Sequence, residues 1–101
     1  MSAERIAEFE AAIEEVMNES KRMGCNPVRF WKMVDQTGSV MEVCRGVMGI
    51  DEPMLTFNLL AERGRLDLSI EAVALKFQDI FSKEDIVRAA SRLKKAGYEP
   101  R

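Results

Sequence analysis

The sequence predicts an all-α fold: a single compact domain of about six helices, with a long acidic first helix. Three observations predict it. Apolar residues recur in steps of three and four along the chain, no segment shows the strict alternation of a half-buried strand, and Pro, Gly and capping Ser fall between the periodic segments.

SAERIAEFEAAIEEVMNESKRMG reads as the first helix, with Ser2 as N-cap and Gly24 just past its end. Ile6, Phe9, Ile13, Val16, Ser20 and Met23 form one narrow heptad seam, and the other faces are polar and mostly acidic. Such a seam packs on helices of its own chain or on a second copy. We expect a homodimer through it. Residues 1–24 are thus read as a long amphipathic helix and 26–98 as a compact bundle.

In the second helix, NPVRFWKMVDQ, Asn26 is placed to cap, Pro27 suits the first turn, and Phe30, Met33 and Val34 make the inner stripe. The third, SVMEVCRGVMG, opens with Ser39 and Glu42 as a capping box and puts Val40, Val43, Cys44 and Val47 on one side. The fourth, PMLTFNLLAERG, is apolar over so wide an arc that it is expected at the centre of the fold.

LSIEAVALKFQDIF gives Ile70, Val73, Phe77 and Ile80 as the stripe of a fifth helix. In the sixth, SKEDIVRAASRLKKAG, Ser82 and Asp85 make an acidic capping box, Phe81 and Ile86 a hydrophobic staple, and Gly97 the stop. Ile86, Ala90 and Leu93 are expected to face inward. Most of the seven methionines fall near these stripes and read as gap-fillers of the core.

At 101 residues the chain makes one domain, which hides roughly 60–70% of the surface its unfolded form exposes. The absence of His removes imidazole bases, imidazole ligands and Ser-His or Cys-His nucleophiles. Cys25 and Cys44 have neither metal-ligand nor redox spacing and read as reduced thiols of a cytoplasmic protein. MSAERIAEFE carries charge within its first five residues and has no apolar block, so no secretory leader is expected. No membrane span, catalytic residue, metal or cofactor is expected either. A net charge of −2 disfavours a dedicated nucleic-acid binder.

The segment GRLDLSIE is expected to be a helix junction. Gly64 closes one helix in the left-handed conformation, Asp67 caps the next by accepting from Ser69 or Ile70, and Glu71 favours its dipole. Arg65 is placed to pair with Asp67 or Glu71. The sharper alternative is an acid–base or cation site made by Asp67 and Glu71, but no third oxygen ligand is signposted nearby.

RFWKMV, the G-S-V-M-E helix start, LAERGRLDLSIEAVALK and IFSKEDIVRAASRLKKAGY look similar to a group of small bacterial and prophage proteins. That group carries a GRLDL(S/T)(V/I)EA core and a closing RL…GY. The match runs from about Pro27 to Tyr98. The resemblance implies a helical fold and a bacterial or prophage origin, and implies no activity. Ala74 stands where the group has a larger aliphatic residue, which bears on packing.

Two basic groups remain. Arg88, Arg92 and Lys95, beside Lys94, share one face of the last helix and read either as a phosphate-tracking stripe or as a solvated, dipole-favoured face. Lys21, Arg22, Arg29 and Lys32 surround Trp31, and Arg29, Trp31 and Lys32 are the candidate partner-binding residues. The leading functional reading is a non-catalytic protein–protein interaction module in a bacterium. The alternatives are a prophage-encoded inhibitor of a host nuclease or defence complex, working through the acidic first helix, and a helix-turn-helix regulator using Ser82–Gly97.

Overall fold

A computed structural model describes residues 3–50 and 52–99. They form six α-helices: α1 (Ala3–Arg22), α2 (Val28–Thr37), α3 (Val40–Gly49), α4 (Leu55–Glu62), α5 (Ile70–Leu75) and α6 (Lys83–Lys95). Short 3₁₀ turns at Leu66–Leu68 and Gln78–Ile80 flank α5. There is no strand among the described residues. The Cα radius of gyration, 12.5 Å, is what close packing gives a chain of this length.

Most boundaries follow from the signals in the sequence. Ser39 Oγ accepts from Glu42 N at 3.2 Å, and Ser82 Oγ accepts from Asp85 N at 3.1 Å, so both serines cap as expected, while Ser39 N donates to Thr37 Oγ1 rather than back to Glu42. Gly24, Gly64 and Gly97 all take positive φ at helix ends. Ser2 lies outside the described residues. Asn26 does not cap α2: its carbonyl accepts from Val28 N at 2.9 Å, and Pro27 holds the N-cap position without a side-chain bond.

The centre is α5, not α4. Residues 70–74 are all buried, and α5 packs against α1, α6 and the 66–68 turn. The helix α4 lies at the edge, chiefly against that turn. Phe57 and Leu60 point inward while Leu55 is 65% exposed. The wide apolar arc of α4 is therefore only half used. The fifth helix is also shorter than its stripe suggests, ending at Leu75 before Phe77 and Ile80. On α6 the inward small residue is Ala89, with Leu93, and Ala90 is exposed. One step of 100° separates the two alanines, and the contact with Met48 and Ala74 selects the former.

The seam of α1 is spent inside the chain. Phe9, Ile13 and Ser20 are fully buried, Met17 joins them, and Ile6 and Val16 pack at the margin of the core. The Phe9 ring meets Phe77 at 5.4 Å and Phe81 at 5.0 Å, both edge-to-face. Arg5 fastens the same corner from outside. Its guanidinium lies 4.2 Å from the Phe77 ring centroid, donates to both Asp79 oxygens at 3.1–3.2 Å and reaches the Lys76 carbonyl at 3.0 Å. Of the 1–24 segment, residues 3–24 are thus a structural part of the bundle. A dimer through this seam would require α1 to leave it.

Candidate functional site

The Gly64–Glu71 junction holds its charges for structural reasons: Arg65 pairs with Asp67, as expected, but Asp67 is not the cap. Gly64, at φ +68°, lets the chain leave α4. Leu66–Leu68 then makes a 3₁₀ turn before α5 begins. That extra turn moves the cap two residues on. Ser69, not Asp67, is the N-cap: its Oγ accepts from Ala72 N at 3.1 Å and donates to the Leu66 carbonyl at 2.7 Å. Asp67 instead makes a two-point pair with Arg65, at 3.0 and 3.1 Å. The Arg65 guanidinium holds the Asp67 carboxyl below its usual range.

Glu71 is turned away from both. It is 2% exposed and accepts from Arg92 Nη1 of α6 at 3.2 Å. Burial pushes its carboxyl upward, against the opposing effects of its own backbone N–H and Arg92. Asp67 and Glu71 therefore do not converge, and the paired-carboxylate site is not formed. The signal for a buried acid was present: Glu71 sits among Ile70, Ala72, Val73 and Ala74 on a helix apolar all round.

Arg92 is the residue that sequence reading misplaced. Its side chain, 11% exposed, donates to the Val47 carbonyl at 2.9 Å and also to the Ile50 carbonyl. Arg88 Nη1 reaches the Gly49 carbonyl at 3.2 Å. Two cations of the basic face of α6 thus cap the C-terminal carbonyls of α3, where the helix dipole favours positive charge. With Lys95, Ile50 and Val87 they border an open pocket of about 260 Å³.

No group of three His, Cys, Asp or Glu placed to hold a metal ion occurs among the described residues. Both cysteines are fully buried, and burial, then Glu71 and Glu10, push the Cys44 thiol far above its ordinary range. The cavity beneath α4, between Phe30, Met54, Phe57 and Glu71, measures about 20 Å³. It has room for about one water and none for an organic substrate.

No protein-family model, curated protein or solved structure matches the chain. No helix of the described residues is long and apolar enough to cross a membrane.

The candidate partner-binding residues divide. Arg29 and Lys32, one turn apart, are exposed on the outer face of α2. Trp31 is half-buried, packed on the core and edge-to-face with Phe30 at 5.1 Å. It lies about 200° around the helix from Arg29, so the three do not make one patch. Trp31 instead borders a groove of about 520 Å³ between α1 and the α2–α3 corner. Its α1 wall is Ala7, Glu10, Ala11 and Glu14, and Trp31, Val34 and Val40 stand opposite. Glu10 also accepts from Met41 N at 3.3 Å, tying α1 to the start of α3. Ala7 and Ala11 lie outside the apolar seam of α1, so periodicity read them as solvated face.

Proposed function

We propose that this protein is a non-catalytic interaction module that binds another protein along the groove between α1 and the α2–α3 corner, in the bacterial setting implied by the GRLDLSIEA resemblance. The groove beside Trp31 carries the reading. It is large and open, and it joins an aromatic and aliphatic wall to small residues on the facing helix. The groups able to do chemistry support it from the other side. Asp67 is held by Arg65, Glu71 by Arg92, and the thiols are enclosed.

A nucleic-acid regulator using α6 is less well supported. Ala89 and Leu93 bury one face of that helix, Arg92 is turned inward, and Glu84 and Asp85 occupy its first turn. Inhibition of a nuclease remains a special case of protein binding, resting on the exposed Glu8, Glu14 and Glu15.

The test is capture of partners by wild-type protein and by Val34→Glu, followed by titration of each purified candidate. A partner that binds wild type stoichiometrically at micromolar or tighter Kd, and the variant weakly, is the expected outcome. Failure of every purified candidate to bind, or turnover of a substrate by the pure protein, overturns the reading.

A further inference from the structure

Building on that reading, we infer that the groove receives a basic amphipathic helix of the partner, with an apolar stripe against Trp31 and a Lys or Arg against Glu14. Four features of the groove select this occupant. Its α1 wall follows the 7, 10, 11, 14 spacing of one helix face, a straight run of about 10 Å. Ala7 and Ala11 on that wall are small, and interaxial distance between packed helices is set by the side chains at the contact. A partner helix can approach closely there. Trp31 is held by its contact with Phe30, so the apolar anchor is ordered before binding.

The charge is one-sided. Glu10 and Glu14 line the groove and no cation does. Glu14 makes no ion pair with a described residue, and Glu15 is exposed beside it. A cationic side chain arriving from outside would meet an uncompensated carboxylate. An acidic helix would meet repulsion. Binding of an apolar helix face between two helices, with charge setting the polarity of the partner, is an established recognition mode. An anionic membrane surface fits badly, because the same carboxylates would face it.

Selection of a displayed library of random peptides against the full chain tests this, with Ala11→Arg and Glu14→Lys as comparison proteins. Both positions are exposed on a helix and both substitutions preserve helix propensity, so the variants should fold, which circular dichroism checks. The expected peptides carry apolar residues at i, i+3 or i+4, and i+7, have net positive charge, and shift the emission of Trp31, the sole tryptophan. Ala11→Arg and Glu14→Lys should each weaken them about tenfold, and added salt should weaken them on wild type. Enrichment of acidic or extended peptides, equal binding to Ala11→Arg, or no enrichment overturns the inference. Peptides or captured proteins that bind wild type and both variants equally would remove the groove while leaving a protein-binding function standing. Absence of any binder in both experiments would remove both.

Discussion

Glu71 and Arg92, 21 residues apart, meet at 3.2 Å with almost no solvent access to either, and the same guanidinium closes the end of α3 through the Val47 and Ile50 carbonyls. One side chain therefore joins α3, α5 and α6. Removing it leaves a carboxylate in the core with no cation. Arg92→Met should cost about 3 kcal/mol. Pairing it with Glu71→Leu should recover at least half of that loss, since a buried ion pair replaced as a unit by apolar groups is often close to neutral. Urea unfolding of the two variants and wild type measures both numbers.

The same burial fixes a pH dependence. The Glu71 carboxyl is raised above its ordinary 4.5 in the folded chain. Its contribution is fully present below the unfolded pKa and is lost as pH rises through the folded one. Asp67 and Asp79 are lowered by Arg65 and Arg5, so theirs is present above 3.8 and lost as pH falls through their folded values. Wild type should lose stability relative to Glu71→Gln on going from about pH 4.5 toward neutrality. Denaturant midpoints of the two proteins across that range report it. A constant difference between them would contradict the assignment.

The corner separates two residues that look alike in sequence. Ser69→Ala removes the N-cap of α5 and should cost about 1 kcal/mol. Asp67→Ala removes a pair whose members are 40% and 46% exposed, and should cost under about 0.5 kcal/mol. Gly64→Ala must adopt φ +68° and should cost about 1 kcal/mol. Thermal midpoints of the three variants give the order.

Cys25 and Cys44 are enclosed, and Cys44 is held in its thiol form by burial. Native protein should react with an aromatic disulfide reagent far more slowly than protein in denaturant. The native rate should rise with urea as opening becomes frequent. Rapid reaction of either thiol in buffer would show the core around it to be open.

The helices could be read from the chain because their signals are local: Ser39, Ser82 and the glycines at 24, 64 and 97 act within one turn of themselves. What escaped was tertiary. Ser69 and Asp67 are both good caps, and the choice between them depends on a 3₁₀ turn that local pattern does not announce. The pairing of Glu71 with Arg92 needs α5 laid against α6. The groove needs α1 laid beside α2, which turns alanines with no apolar periodicity into a wall. The apolar arc of α4 overstated its burial, because arc width reports how much surface could be covered and not how much is.

The ring of Phe9 and the guanidinium of Arg5 both pack on Phe77. It follows that position 26, where the amphipathic segment gives way to the rest, is no seam along which the gene product could be cut. A shortened polypeptide starting there would leave Phe77 and Phe81 wet and Asp79 without its counter-ion. Any kindred protein lacking an equivalent leading rod would have to recruit another greasy cover, from elsewhere in its own sequence or from a neighbour.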